Sequence, residues 1–157
     1  METHSRDKLL LVMRQQKARY AVPAENVEEI ITSPEITVLP QQPGYIRGIF
    51  DYKGHIVPVL SLRALCGCPG EAEPVCAVLR MGKELFALSA DDAESLVTDT
   101  GQRMKSGREL LEGELLSLEY VLPGEPAVFV INLEKTYENA GARLKEETAA
   151  EQTAGKG

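Results

Sequence analysis

LLLVMRQQKARYAVPAENVEEIIT, residues 9–32, recurs without a gap as VCAVLRMGKELFALSADDAESLVT, residues 75–98. A second pair of segments follows, since HIVPVLSLRALC at residues 55–66 resembles PAVFVINLEKTY at residues 126–137. Aligned positions of the first pair keep their charge, size or hydrophobicity: Val12 and Val78, Arg14 and Arg80, Lys17 and Lys83, Tyr20 and Phe86, and Glu28 and Glu94. Recurrence of this length indicates a structural repeat. The chain is therefore predicted to contain two copies of one unit.

Each copy is predicted to begin with a β-hairpin. An aliphatic strand leads into a polar turn around Gln16 or Gly82, and a second short strand follows. A helical turn is expected next, from Pro23 in the first copy and from Ser89 in the second. Proline suits the first helical turn, and serine can cap its exposed N–H groups.

The rest of each copy is predicted to be a buried strand that runs into a short helix. Strands at 56–60 and 127–131 are followed by Ser61 and Asn132, which can cap a helix. Many short strands with Gly and Pro between them favour small β-barrels over a parallel sheet. Units of roughly 65–70 residues are near the lower limit for a self-sufficient core, so the two should pack together.

Composition excludes several classes of partner. The chain has 157 residues and a net charge of −7, which disfavours binding to nucleic acid or to an anionic membrane. The apolar run at residues 9–13 is too short for a signal peptide or a membrane span, so a cytoplasmic location is expected. Residues 99–114 are expected to form a loop, and residues 138–157 a helical extension that ends in a disordered tail.

The cysteines are not expected to bind a metal, and no cofactor is expected. Cys66, Cys68 and Cys76 lack the paired spacing of a zinc site, and no histidine is close in sequence. Cys66 and Cys76 are interpreted as small buried apolar residues.

Known catalytic motifs for phosphate, dinucleotide, zinc-protease and serine-hydrolase chemistry are absent from the sequence. The enzyme alternative is an acid–base pair of His55 and Asp51, opposed by a solvated hairpin turn at Lys53-Gly54. Odd positions Arg47, Asp51, Lys53 and His55 are predicted along one side of this hairpin, and even positions Ile46, Phe50, Tyr52 and Ile56 along the other. Asp91 and Asp92 are expected in the first turn of the second copy's helix, where they complement the helix dipole.

Several linked motifs resemble one protein family. Tyr20-Ala-Val-Pro23, Val27-Glu-Glu-Ile30, Pro40-x-x-Pro43, Gly48-Ile-Phe-Asp-Tyr-Lys-Gly54, Val57-Pro-Val59 and Leu62-Arg63 occur in order and resemble the CheW-like family. The resemblance covers residues 8–137. It implies two packed SH3-like five-stranded β-barrels, approximately 8–70 and 71–137, and leaves open whether strands are exchanged between them.

The family resemblance also implies a function without catalysis. Such proteins are adaptors that couple the cytoplasmic tips of methyl-accepting chemoreceptors to a CheA-type histidine kinase, by binding its regulatory domain. The family's Asn-Leu-Arg-Gly is replaced here by Asp51-Tyr-Lys-Gly54, and lysine cannot form arginine's bidentate fork. A scaffold of a divergent signalling system, with the same fold and other partners, is therefore the alternative.

The resemblance assigns candidate partner-binding residues: Val27, Glu29, Gly48, Asp51, Lys53, Arg63, Ala87, Asp91 and Ala93. Val27 could instead be buried, and Gly48 could instead form a β-bulge. Arg63 is interpreted mainly as structural, and Glu29 and Lys53 as a cross-strand ion pair. Two further expectations concern architecture: Ile30 in the core, and Pro58 on an edge strand or at a bulge.

Overall fold

The computed structural model describes residues 8–40, 44–67, 73–102 and 116–141. The strands are β1 Lys8–Gln15, β2 Ala18–Pro23, β3 Val27–Thr32, β4 Ile46–Tyr52, β5 His55–Ser61, β6 Val75–Met81, β7 Glu84–Ala90, β8 Asp92–Asp99, β9 Leu118–Leu122 and β10 Val128–Ile131. A 3-10 turn covers Ala24–Asn26, helix α1 covers Leu62–Cys66, and helix α2 covers residues 133–141. Most of the predicted loop at 99–114 and of the tail at 138–157 lies outside the described residues.

The strands form two five-stranded sheets, which confirms the predicted mainly-β fold of two SH3-like barrels. Barrel A has the strand order β8-β1-β2-β10-β9, and barrel B has the order β3-β6-β7-β5-β4. Neighbours are antiparallel except β2 with β10 and β5 with β7, which are parallel. No helix in the described part of the chain is long and apolar enough to cross a membrane.

The two sheets repeat one another residue by residue. Leu11 pairs with Leu96 in barrel A as Ala77 pairs with Ile30 in barrel B. Both third strands also carry a bulge, in which Glu94 or its equivalent Glu28 is the extra residue. The pairing of the parallel strands likewise places Val130 opposite Ala21 and Val59 opposite Ala87. The predicted duplication is therefore present in the strand registers.

Strands are exchanged between the two copies. The third strand of the first copy, β3, pairs with β6 of the second, and β8 of the second pairs with β1 of the first. Barrel B consequently consists of strands β3–β7, and barrel A of strands β1, β2 and β8–β10. The sheets are therefore not divided near residue 70. Strands β1 and β6 offer equivalent edges, and each third strand bonds to the edge that belongs to the other copy.

The buried apolar residues of the described ranges form three clusters. Alternate residues of β1 point to different clusters, with Leu10 and Val12 inside barrel A and Leu11 and Met13 between the barrels. Strand β6 behaves in the same way, because Val78 lies inside barrel B and Leu79 lies between the barrels. A strand covered on both faces needs apolar residues at successive positions, which explains the uninterrupted aliphatic runs.

The helical turn predicted at Ser89 is absent. The first copy has its 3-10 turn directly after Pro23, whereas the second has a bend at Asp91 and enters β8 at Asp92. Ser89 is buried in β7, where its hydroxyl donates to the Leu60 carbonyl, so it caps no helix. Asp91 lies at the bend and Asp92 begins β8, so neither is in the first turn of a helix.

Other local predictions are confirmed or corrected. Ser61 Oγ accepts a hydrogen bond from the Ala64 N–H and caps α1, and Asn132 Oδ1 caps α2 in the same way. Pro58 is not on an edge strand, because β5 lies between β7 and β4. Pairing of β5 with β7 starts only at Val59, so the proline precedes it.

Candidate functional site

The β4–β5 hairpin turns at Lys53-Gly54, as predicted. Both residues have positive φ, 50° and 86°, which is what a tight two-residue hairpin turn of type I′ requires. A turn of two residues pairs Tyr52 with His55 and Asp51 with Ile56. Paired residues point to the same face of the hairpin. The even-numbered residues of β4 therefore share a face with the odd-numbered residues of β5. The expected placement of Ile56 with Phe50 and Tyr52 was therefore wrong.

The outer part of this hairpin and the adjoining end of β3 form an exposed group that we call the hairpin surface: Glu29, Asp51, Lys53, His55 and Ile56. Ile56 is 64% exposed. Glu29 Oε1 lies 3.8 Å from Lys53 Nζ and accepts a hydrogen bond of 3.0 Å from the Tyr52 hydroxyl. The predicted Glu29–Lys53 pair is therefore present, although at this exposure such a pair contributes at most about 1 kcal/mol.

His55 and Asp51 do not form an acid–base pair in this structure. Their cross-strand partners place them on opposite faces of the hairpin. Asp51 Oδ1 instead accepts a 2.8 Å hydrogen bond from the Gly54 N–H and stabilises the turn. The hairpin thus lacks the geometry that the enzyme alternative needs, since general base catalysis requires a partner within hydrogen-bond reach.

Gly48 is explained by the architecture of barrel B. Its φ is +144°, and it follows a bulge in β4 between Ile46 and Gly48. A Cβ at this position would lie 2.2 Å from the Thr37 carbonyl oxygen and 2.7 Å from Ile36 Cγ2. The bare backbone is covered by the chain's own residues. Of the two interpretations, the structure supports the bulge over a partner that packs on the glycine.

Arg63 and Asp91 bind each other across the two barrels. The Arg63 guanidinium donates to Asp91 Oδ1 at 2.6 Å, and the two side chains are only 10% and 16% exposed. Asp91 also accepts from the Gln16 N–H at 2.7 Å and from Gln15 Nε2 at 3.4 Å. The structural interpretation of Arg63 is supported, and the carboxylate on which it docks belongs to its own chain.

The remaining candidates are more deeply placed than expected. Ala87 is fully buried inside barrel B, so it cannot touch a partner and its assignment was wrong. Val27 and Ala93 occupy equivalent positions of the repeat, and both pack partly buried against the cluster between the barrels. Their role as partner contacts remains a prediction.

Sequence reasoning misplaced or missed three residues in or near the site. Ile56 could have been found by counting the two-residue turn, which reverses the parity of the faces. Ile30 was expected in the core but is 43% exposed, because β3 is the end strand of its sheet. Glu73 is buried and accepts from Ser61 Oγ at 2.6 Å and from the Arg63 N–H at 2.8 Å. No motif marks that carboxylate.

The cysteines occupy separate environments. Cys76 is buried inside barrel B, where desolvation raises the pKa of its thiol to about 11. Cys66 is partly exposed at the end of α1, and Cys68 lies outside the described residues. Among the residues that the structure describes, no cluster of three or more His, Cys, Asp and Glu side chains could hold a metal ion.

The similarity to known proteins extends over nearly the whole described part of the chain. A family model described as "CheW-like domain" matches residues 9–137. The chain is 24% identical over 123 residues to "Chemotaxis protein CheW" of Klebsiella aerogenes, which covers 74% of this chain and 73% of that protein.

Shorter matches have higher identity. "Chemotaxis protein CheW" of Helicobacter pylori is 35% identical over 54 residues, 34% of this chain and 33% of that protein. "Protein FrzA" of Myxococcus xanthus is 41% identical over 44 residues, 28% of each chain. These two alignments therefore span only about a third of the relatives' length or less.

A solved structure has the same fold. The "scaffolding protein TtCheW" from Thermoanaerobacter tengcongensis superposes with a TM-score of 0.71 at 18% sequence identity. The superposition covers 81% of this chain and 85% of that protein.

Proposed function

This chain belongs to the CheW-like family, and from that premise we propose that it is a non-catalytic adaptor. It couples methyl-accepting chemoreceptors to a CheA-type histidine kinase by binding both proteins. Recruitment to membrane-associated receptor arrays follows from binding the receptors. The similarity to chemotaxis and scaffolding proteins supports this proposal.

The hairpin surface is the proposed docking site for one of these partners. The observation that carries this assignment is Ile56, an aliphatic side chain left 64% exposed on the outer face of β5. It is paired with Asp51 and lies on the hairpin that carries Lys53. An exposed apolar residue beside charged side chains has the composition of a small protein interface, where the apolar residue provides affinity and the charges provide orientation.

Affinity capture from the native cell tests the proposal. The full chain should capture a CheA-type kinase and chemoreceptors, identified by mass spectrometry. Ile56→Glu should lose at least one of them, which also tells which partner uses the hairpin surface. Leu9→Glu is the matched control, because Leu9 is an exposed apolar residue of barrel A, 51% exposed, and should leave capture unchanged. Capture of neither kinase nor receptor by the unaltered chain would contradict the proposal.

A divergent signalling system is the second candidate. The observation that favours it is Lys53, which stands where the family has arginine and reaches Glu29 through a single nitrogen at 3.8 Å. A lysine binds a carboxylate as a point charge without a fork, so the recognised partner surface would differ. The same capture experiment separates the candidates, because a divergent scaffold should retain partners that are neither receptor nor CheA-type kinase.

A further inference from the structure

A groove of about 730 Å³ opens between barrel B and helix α2. Its apolar lining includes Ile46, Leu60 and Met81, and its acidic lining consists of Glu84, Glu134 and Glu138. None of the partner-binding candidates from the sequence lines this groove.

Among the described residues, no cation in the groove offsets its acidic lining. Its glutamates are exposed, and no lysine or arginine is among the lining residues. Glu84 accepts a 2.9 Å hydrogen bond from the Tyr137 hydroxyl, which is a neutral donor. Within the described part of the chain, none of the three carboxylates forms an ion pair.

The internal repeat supplies a counterpart for comparison. Helix α1 follows β5 as α2 follows β10, and the strand registers align the two copies. In this alignment Arg63 takes the position of Glu134, and Gln15 takes the position of Met81. The groove beside α2 therefore corresponds to the place where α1 meets Gln15.

The counterpart is closed by the chain's own cation. There the guanidinium of Arg63 lies on Asp91 at 2.6 Å, and Gln15 beside it is fully buried. At the groove, Glu134 takes the place of that arginine. The residue equivalent to Asp91 is Glu25, which does not line the groove. One copy thus provides its own positive charge at this position, and the other copy leaves a carboxylate there.

We propose that the groove binds a segment of another protein that places an apolar side chain against Ile46, Leu60 and Met81 and an arginine or lysine against Glu134 and Glu138. The cation of the partner then takes the role that Arg63 has in the counterpart. An apolar anchor flanked by complementary charge is a common mode of helix-in-groove recognition. This proposal goes beyond the adaptor function and does not depend on which protein uses the hairpin surface.

A labelled synthetic peptide tests the proposal by fluorescence anisotropy with the full chain. The probe is a helix of about four turns, or 14 residues, with leucines on one face and arginines beside them. Two further peptides replace the arginines by glutamate or the leucines by serine. We expect binding of the first peptide and at least tenfold weaker binding of both others, since charge and apolar contact are each required.

Charge reversal locates the binding. Glu134→Lys/Glu138→Lys should weaken the first peptide at least tenfold without lowering the melting temperature, because both residues are exposed on a helix. Glu35→Lys/Glu119→Lys changes the net charge equally at exposed positions outside the groove and is the matched control. Equal weakening by the two double variants would overturn the proposal, since binding would then follow total charge alone.

Two other occupants are distinguished by further measurements. Residues 142–157 include Arg143 and Lys145 and follow Gly141, which lines the groove. If deletion of residues 142–157 tightens peptide binding tenfold or more, the chain's own tail is the occupant and the proposal fails. If Glu134→Lys/Glu138→Lys alone shifts the sedimentation of the chain from dimer to monomer, the occupant is a second copy, which also overturns it.

Discussion

Substitution of Gly48 by alanine should destabilise barrel B strongly. Two terms add. A side chain at φ +144° costs about 1–3 kcal/mol, because this region of backbone conformation is almost confined to glycine. A Cβ placed 2.2 Å from the Thr37 carbonyl oxygen must displace the backbone of residues 36–37, which costs about 1–3 kcal/mol more. The predicted loss is about 2–6 kcal/mol, a large part of the 5–15 kcal/mol that stabilises a typical domain.

Urea denaturation followed by circular dichroism measures this loss, since the chain contains no tryptophan to report on unfolding by fluorescence. Gly54→Ala is the control from the same hairpin. Its φ is also positive, +86°, but nothing lies within 4 Å of the added Cβ, so it should cost only about 1–2 kcal/mol. If Gly48→Ala destabilises the chain no more than Gly54→Ala, the contact with residues 36–37 is not what requires the glycine. Folded Gly48→Ala protein should still bind its partners.

Three further predictions concern other residues. Arg63→Met should lower the free energy of unfolding by about 3–5 kcal/mol, because it leaves the Asp91 carboxylate largely buried without its cation. Arg63→Met/Asp91→Leu should recover much of this loss in the same urea titration. An unchanged stability of the single variant would contradict the buried pair. Gly82→Ala should lower the free energy of unfolding by about 1 kcal/mol, because Gly82 has a positive φ of 63°. Gln16→Gly, at the equivalent position with φ 57°, should raise it by about 0.5–1 kcal/mol. A stabilising Gly82→Ala or a destabilising Gln16→Gly in thermal melts would show that the turn is not strained. Burial raises the pKa of the Cys76 thiol from 9.0 to about 11, so the contribution of this thiol to stability is complete below pH 9 and is lost as the pH rises from 9 to about 11. The Cys76→Ala variant should therefore lose less stability than the unaltered chain over this pH interval. Identical pH profiles of the two proteins would refute the assignment.

The duplication could be predicted in detail because strand pairing depends on local patterns that both copies keep. Arg14 and Arg80, for example, each bond to the bulged glutamate of a third strand, at 3.6 Å to Glu94 and at 2.5 Å to Glu28. The partner strand could not be predicted from the same patterns. The sequence pattern of a third strand is the same whether the strand pairs with the edge of its own copy or with the equivalent edge of the other copy. The pattern therefore cannot predict the exchange.

The candidate site was predicted less well because its chemistry depends on contacts between distant segments. Lys53 and Glu29 were paired correctly, since both match charged positions of the family pattern that the sequence resembles. Arg63 and Asp91 are separated by 28 residues and belong to different elements, so the local sequence around one does not predict its contact with the other. Ala87 lies on the barrel interior, and only the structure distinguishes that face of β7 from the face between the barrels.

The exchange of strands determines the order in which the barrels can be completed during synthesis. Every strand of barrel B has been made once the ribosome has passed residue 90, whereas barrel A begins with β1 and needs β10, which ends at Ile131. At a typical rate of 5–20 residues per second, the hairpin of β1 and β2 waits about 5–20 s for its last partner strand. Throughout that interval Leu10 and Val12 have no barrel interior to enter. The nascent chain therefore exposes the aliphatic strand β1 for longest, and barrel B is finished while barrel A is still open.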